Sequence, residues 1–145
     1  WDTTMNEKGE ETIMAFVHLH THTEYSLLDG SNKIKEYVSR VKELGMNSAA
    51  ITDHGNMYGG VILQDAKAAD INPVIGCEIY VAPNSRFDRE TSHGEDRYYH
   101  LILLAENNTG YANLMKIVSI GFTEGYYYRP VSYTHLRAHE TRSNL

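Results

Sequence analysis

Three histidines occupy alternate positions near the start of the chain, at His18, His20 and His22, where an apolar segment ends. Side chains of a β-strand alternate between two faces, so this spacing predicts that the three imidazoles point to the same side. Neutral imidazole is the commonest protein ligand of transition metals, and the ligands of one ion must converge on one point. Asp29 adds a carboxylate on the loop that follows. The segment therefore predicts a metal site, and a solvated strand end with a chance histidine tract is the alternative.

Further histidines and carboxylates lie within or just after other predicted strands, namely Asp53, His54, Glu78 and His100. Histidine and carboxylate ligands without cysteine suit Zn, Mn or Fe, and Glu78, which interrupts an apolar strand, is the best candidate to bridge two ions. Closely spaced ions promote phosphoryl transfer, so phosphoester hydrolysis is the predicted chemistry. Simpler explanations exist for single residues: Asp53 could cap the helix that follows it, and His100 could be an ordinary strand histidine.

The elements that must position these residues follow from the apolar pattern. It predicts four strands, over residues 15–20, 48–52, 74–82 and 98–104. It also predicts three helices: one opened by Ser31 and closed by Gly45, one over residues 60–69, and one capped by Thr109. Residues 83–96 are polar and predict a surface loop or an open hairpin. Apolar strands that alternate with helices are typical of an α/β fold with a parallel sheet, whose functional groups lie beyond the carboxyl ends of the strands.

Composition excludes several classes of protein. The 145 residues suffice for one domain with a modest core. A net charge of −6 and no basic patch are unlike a stand-alone nucleic-acid-binding domain. The one cysteine, Cys77, excludes a disulfide framework and suits a reducing compartment. No apolar run is long enough for a membrane span and no secretory signal is found, so we expect a cytoplasmic protein without a membrane partner.

Both ends of the chain differ in character from the middle. Residues 1–13 are polar and unpatterned and predict a non-native or disordered leader before Met14. Residues 131–141 resemble one reading frame of a transposase-derived sequencing adapter, so residues 131–145 are predicted to be a non-native tail. His135 and His139 therefore receive no functional role, and the native part is expected to span residues 14–130.

Several motifs resemble the polymerase and histidinol phosphatase (PHP) domain family; they lie at residues 18–30, 51–56, 76–78 and 99–101. Longer segments, at residues 25–30, 85–89 and 106–114, are similar to the N-terminal region of the alpha subunits of bacterial DNA polymerase III. The resemblance covers residues 14–130, with one departure at residues 59–65, where two glycines stand in place of one.

The resemblance implies a distorted (β/α)7 barrel, incomplete here with four strands and three helices, around a centre of up to three divalent ions. The metal ligands it implies are His20, His22, Asp29, His54, Glu78 and His100. Asp53 is a weaker candidate, to which we give a catalytic role, and His18 is expected to lie outside the ligand set. A later Asp-x-His motif of the family is not found in this sequence, so we expect a truncated domain.

The same resemblance implies a parent protein that is a replicative DNA polymerase, with Mg in a separate polymerase domain. Its partners would be a DNA primer–template and other replisome subunits. The PHP part would carry a metal-dependent 3′–5′ exonuclease or phosphoesterase activity in the intact parent, and the fragment alone is expected to be inactive. Two alternatives remain: a free-standing phosphoesterase similar to histidinol phosphatase, and a non-catalytic scaffold for a proofreading subunit.

Overall fold

A computed structural model describes residues 3–5, 11–13, 16–83, 85, 87, 98–127 and 129–132 of the chain. Its elements, in chain order, are β1 (Thr3–Met5), β2 (Glu11–Ile13), α1 (Ile34–Glu43), β3 (Ser48–Ile51), a 3₁₀ helix (Tyr58–Val61), α2 (Ile62–Ala68), β4 (Asn72–Val81), β5 (Tyr99–Leu104), α3 (Asn108–Thr123), β6 (Tyr126–Tyr127) and β7 (Arg129–Ser132). The three predicted helices are present and the α/β class is confirmed.

Strand β4 is the centre of a five-stranded sheet. Its first half pairs with β3 in parallel, from Ser48 opposite Asn72 to Ile51 opposite Ile75. Its second half pairs with β5 in antiparallel orientation, and its last two residues pair with β7 in parallel. Strand β6 pairs with β7 in antiparallel orientation. The parallel β3–β4 pair with its connecting helices is the unit expected of an incomplete α/β barrel.

The prediction of an all-parallel sheet is wrong for β5. The polar segment between β4 and β5 returns the chain so that β5 runs back along β4, as hairpin-connected strands do. This corresponds to the open hairpin that residues 83–96 allow, although most of that segment lies outside the described residues.

The predicted first strand is also wrong, so three of the four predicted strands are formed. Described residues 16–22 contain no strand. They contact the end of β3 through Thr21, whose carbonyl accepts a hydrogen bond of 2.8 Å from the Thr52 amide. In return, the Thr21 amide donates to Oγ1 of Thr52, 2.9 Å away. Because a side-chain oxygen takes the place of a backbone acceptor, the ladder does not continue.

The core consists of apolar clusters beneath the helices. Ile34, Val38 and Val41 of α1 are buried on one face of the helix and pack with residues of β3, α2 and β4. A second cluster joins Cys77 and Ile79 of β4 to Leu114 of α3. None of the helices in the described residues is long and apolar enough to cross a membrane.

The ends of the helices are only partly as predicted. Gly45 closes α1 with a φ of +72°, and the amides of Gly45 and Met46 donate to the carbonyls of Lys42 and Val41. This is the Schellman arrangement, which favours glycine at the left-handed position. Ser31 is not the cap, because α1 begins after Lys33 and has no side-chain cap.

The cap of α3 lies two residues before the predicted Thr109. It is Asn107, whose side-chain oxygen accepts a hydrogen bond of 3.0 Å from the Gly110 amide. An asparagine in extended conformation satisfies a free amide of the first turn, which is the same physical role that the sequence assigned to threonine.

The predicted leader and tail lie at the ends of the described residues. Strands β1 and β2 of the leader region form an antiparallel pair, with Thr3 opposite Ile13. Within the tail region, β7 ends at Ser132, and residues 133–145 lie outside the described residues, as do His135 and His139. The non-native origin of both segments stays a prediction.

Candidate metal centre

All six side chains predicted as metal ligands lie in one cluster. Their nitrogen and oxygen atoms form three overlapping groups: His20 with His22 and Glu78, His22 with Asp29 and His54, and His54 with Glu78 and His100. Within each group, the candidate ligand atoms lie within 4.8 Å of one another. The fold therefore brings together residues that are up to 80 positions apart in the sequence, from His20 to His100.

Glu78 lies at the centre of the cluster. Its Oε2 lies 2.6 Å from Nε2 of His20 and 2.7 Å from Nε2 of His22. Its Oε1 contacts Nδ1 of His100 and lies 3.7 Å from Nδ1 of His54. Each oxygen of one buried carboxylate thus faces two imidazoles, which is the arrangement that a bridging ligand requires.

Backbone pairing explains why these residues meet at β4. Beyond the end of β3, His54 forms an isolated parallel bridge with Glu78. On β5, His100 lies opposite Tyr80, two residues from Ile102, the partner of Glu78. Diagonal neighbours of this kind are within reach of long side chains across an antiparallel pair.

Asp29 closes the cluster from the loop after His22. Its Oδ2 lies 2.7 Å from Nδ1 of His22 and 2.7 Å from Nε2 of His54. The carbonyl of Ser26 accepts hydrogen bonds from the amides of Asp29 and Gly30, which folds the loop back towards the sheet. Leu28, at the tip of this loop, is fully exposed and has a φ of +71°, the left-handed region that a leucine rarely adopts.

Both carboxylates of the cluster favour their charged forms. Hydrogen bonds with His22 and His54 lower the pKa of Asp29. For Glu78, burial raises the pKa, but hydrogen bonds with His100, His20 and His22 together outweigh it and bring the pKa to about 2. The cluster therefore offers negatively charged oxygens at neutral pH, as a divalent cation requires.

The donor atoms fit a bound metal ion. Nδ1 of His54 is buried and has no hydrogen-bond partner among the described residues. Leaving such an atom unpaired costs roughly 1–3 kcal/mol, and a metal ion would satisfy it. In addition, Nε2 of His20 and Nε2 of His22 lie 3.1 Å apart, and both face the same oxygen of Glu78. These two nitrogens and the Glu78 oxygen converge on one point, as the ligands of a metal ion do.

Asp53 lies outside the three groups. It is fully buried, and its Oδ1 accepts hydrogen bonds from the Thr23 amide at 2.7 Å and from Oγ of Ser26 at 2.8 Å. Its Oδ2 accepts a third, of 2.8 Å, from Oγ1 of Thr23. The alternative role as a helix cap is wrong, because the following 3₁₀ helix begins after Met57 without a side-chain cap. The catalytic role of Asp53 stays a prediction.

His18 also lies outside the three groups, as expected. Its ring packs edge-on against Phe16, with ring centroids 4.6 Å apart. Of the three alternating histidines, the structure therefore brings His20 and His22 into the cluster.

Sequence reasoning missed Tyr80, which packs against the cluster. It is buried, its ring lies parallel to that of His54 at 5.9 Å, and it meets the ring of His100 edge-on at 5.0 Å. The signal was available, because Tyr80 follows Glu78 by two positions in one strand and therefore shares its face.

A cleft of about 700 Å³ opens beside the cluster. It reaches Asp29, His54 and His100, and much of its wall is aromatic, formed by Tyr25, Tyr58, Tyr80, Phe122 and Tyr126. Among the described residues that line it, none is a lysine or an arginine. The cleft can therefore receive a planar or apolar group next to the cluster, and its described lining residues offer no lysine or arginine to an anion.

Comparison with known proteins agrees with the sequence motifs. The chain is 52% identical over 118 residues to DNA polymerase III subunit alpha of Treponema pallidum, covering 81% of this chain and 10% of the relative. It is 48% identical over 116 residues to the same subunit of Borreliella burgdorferi, covering 79% and 10%. It is 50% identical over 117 residues to the same subunit of Helicobacter pylori, covering 80% of this chain and 9% of the relative. The chain spans about a tenth of the length of these relatives.

Two solved structures resemble parts of the chain. One is an amidohydrolase from Chromobacterium violaceum, at 24% identity and a TM-score of 0.47, over 70% of this chain and 32% of that one. The other is a protein from Bifidobacterium adolescentis assigned as a metal-dependent phosphoesterase, at 18% identity and a TM-score of 0.47, over 73% of this chain and 34% of that one.

The family model described as the PHP domain matches residues 18–143. The matched range includes every histidine and carboxylate of the cluster, and it extends into the predicted tail. Since the match spans most of the chain, the resemblance predicted from the motifs is confirmed: the chain belongs to the PHP domain family.

Proposed function

We propose that this chain is part of the PHP domain of a DNA polymerase III alpha subunit, and that its cluster binds divalent metal ions for phosphoester hydrolysis. The observation that carries the proposal is the convergence of four imidazoles and two carboxylates in three overlapping groups. Zn, Mn and Fe suit this donor set, with up to one ion for each group. The match to the PHP domain and the identity to alpha subunits support the assignment.

The residues of the cluster have distinct roles in this proposal. Glu78, held charged and shared between two of the groups, would bridge ions, while the imidazoles of His20, His22, His54 and His100 would complete the coordination. Bound divalent ions would supply Lewis-acid activation of a phosphoester. Asp29 would hold the open side of the cluster through its contacts with His22 and His54.

The substrate would be the 3′ end of a single-stranded DNA chain, and the activity would be that of a 3′–5′ exonuclease. The aromatic wall of the neighbouring cleft supports this substrate, because aromatic side chains stack on nucleobases without reading their sequence. Because the described lining residues include no lysine or arginine, the proposed ions would bind the phosphate.

The whole protein would be a DNA-directed DNA polymerase of the cytoplasm. Its Mg-dependent polymerase site would lie outside this chain, and its partners would be a DNA primer–template and other replisome subunits. The names of the relatives support this part of the proposal. The fragment alone would have neither activity.

The test uses the protein in its full natural length, loaded with Mn²⁺ or Zn²⁺ and incubated with a 5′-labelled single-stranded oligonucleotide. Wild-type protein should shorten the oligonucleotide from its 3′ end, and a chelator should stop the reaction. The double variant His20→Ala/His22→Ala should lose this activity but keep primer extension, which serves as the control for folding.

Two other outcomes would contradict the proposal. Release of phosphate from histidinol phosphate, with no shortening of DNA, would favour a free-standing phosphoesterase. A protein that takes up no metal and hydrolyses neither substrate would instead be a non-catalytic scaffold.

A further inference from the structure

The buried carboxylate of Asp53 is connected to the metal cluster through the loop that it holds. It has no exposed surface, and charged groups are rarely buried unless several hydrogen bonds compensate for lost hydration. Among the described residues, two members of this loop, Thr23 and Ser26, donate all three hydrogen bonds to its side chain. The carboxylate therefore fixes the loop, and the loop carries Asp29.

The partners of Asp53 lie next to cluster residues on three sides. Thr23 directly follows His22, and both its amide and its hydroxyl donate to Asp53. The hydroxyl of Ser26 donates to Asp53 and accepts a hydrogen bond of 3.0 Å from the amide of His54. The Ser26 carbonyl accepts from the amide of Asp29 at 3.0 Å. One buried group is thus linked to the backbone positions of His22, Asp29 and His54, the three members of one group of candidate ligands.

Asp53 cannot itself meet a substrate. Its Oδ2 lies so close to Gly59 that a Cβ atom built at that glycine would be 2.6 Å away. This side of the carboxylate is closed by backbone, and the other oxygen is occupied by Thr23 and Ser26. A catalytic residue must touch the reacting atoms, so the burial of Asp53 favours a role that acts through its neighbours.

We infer that Asp53 is a positioning residue of the metal centre, which holds the His22–Asp29–His54 group in its coordinating geometry through Thr23 and Ser26. This inference rests on the proposed metal-binding function. Substitution of residues that orient metal ligands through hydrogen bonds commonly lowers metal affinity by roughly 10–100-fold. Asp53 differs from a general stabiliser of the fold in that its loss should change the coordination of the bound metal, and not the stability of the metal-free protein alone.

The experiment measures Co²⁺ affinity and the visible absorption of bound Co²⁺ in the full-length protein, by titration in competition with a chelator. The variants are Asp53→Asn, which keeps the shape but removes the charge, and Ser26→Ala, which removes the link to His54. The control is Asp65→Asn, the same chemical change on α2, away from the cluster. Thermal unfolding of the metal-free proteins is recorded alongside.

We expect Asp53→Asn and Ser26→Ala to bind Co²⁺ about 10–100-fold more weakly than the wild type, with a changed absorption spectrum. Asp65→Asn should bind as wild type does. If Asp53→Asn does not fold, Ser26→Ala carries the test. Folded variants with wild-type affinity and spectrum would overturn the inference, even if their unfolding temperature falls. Wild-type protein that binds no Co²⁺ would overturn the proposed function itself.

Discussion

Nδ1 of His54 lies 3.7 Å from Oε1 of Glu78, yet this buried nitrogen has no hydrogen-bond partner among the described residues. Folding rarely leaves a buried polar atom unpaired, because the lost hydration costs roughly 1–3 kcal/mol. At the same time, the other oxygen of Glu78 is shared by the imidazoles of His20 and His22. In this cluster one potential metal ligand, Nδ1 of His54, has no hydrogen-bond partner in the described part of the chain, and other potential ligands converge on Glu78. Both features suit the binding of a cation.

The overlap of the three groups predicts how metal content changes on substitution. Glu78 belongs to two groups and Asp29 to one, so Glu78→Gln should remove more bound metal than Asp29→Asn. Elemental analysis of the full-length proteins after dialysis checks this order. The control is Glu43→Gln, on an exposed position of α1. Equal loss from both cluster variants would contradict the assignment of Glu78 as the shared ligand.

The strained tip of the Asp29 loop predicts a stabilising substitution. Leu28 is fully exposed with a φ of +71°, and asparagine tolerates this left-handed conformation better than leucine. Leu28→Asn should raise the free energy of unfolding by about 1 kcal/mol, measured by denaturant titration. Leu27→Asn is the matched control, because Leu27 is also largely exposed but has no positive φ. A lower free energy of unfolding for Leu28→Asn, with Leu27→Asn unchanged, would contradict the prediction.

The core beneath α1 and β3 predicts a large loss of stability at Ile62. This residue is fully buried in the first apolar cluster, whereas its neighbour Val61 is 57% exposed. Ile62→Ala should lower the free energy of unfolding by about 2–5 kcal/mol, because it removes apolar contacts and leaves a cavity. Val61→Ala should change it by less than about 0.5 kcal/mol. Similar effects at both positions would contradict the placement of α2 against the sheet.

Burial of Cys77 predicts that its thiol reports on unfolding. The side chain is fully buried, and burial is the main reason why its pKa rises from 9.0 to about 12. A thiol reagent should therefore react at pH 8 only at the rate at which the protein opens, and small amounts of denaturant should accelerate labelling.

The same shift gives a pH dependence of stability. Because the folded state raises the pKa of Cys77, the contribution of this thiol to the free energy of unfolding is complete below pH 9 and is lost as the pH rises towards about 12.

In the labelling experiment, rapid reaction of native protein at pH 8 would contradict the buried position of Cys77. Since Cys77 precedes Glu78 in β4, metal should slow the labelling further, by stabilising the folded state.

Local patterns of the sequence were sufficient for most of the elements and for naming residues that the fold brings together. The apolar stripe of α1 and the glycine at its end follow from helix geometry, and both are found as predicted. Histidines and carboxylates that recur at predicted strand ends pointed to this region, and the resemblance to the PHP domain reduced them to six candidate ligands, without Asp53. Their convergence depends on β4, whose register places His54 and His100 on either side of Glu78.

Long-range pairing accounts for what sequence patterns did not reveal. Residues 16–22 form no strand, and the amide of Thr21 donates to the hydroxyl of Thr52 and not to a backbone carbonyl, a contact between distant parts of the chain. The direction of β5 depends on the path of a polar segment that has no apolar period. The surroundings of Asp53 depend on the fold of the whole loop, since its partners lie 27 to 30 positions away.

Anomalous X-ray scattering from crystals of the metal-loaded, full-length protein would test the central claim most directly. Data collected at the absorption edge of Mn or Zn should show at least one peak in the cluster, bounded by His20, His22 and Glu78, by His22, Asp29 and His54, or by His54, Glu78 and His100. An anomalous map without peaks at this cluster, from crystals kept in a solution of the metal, would contradict the proposed metal centre.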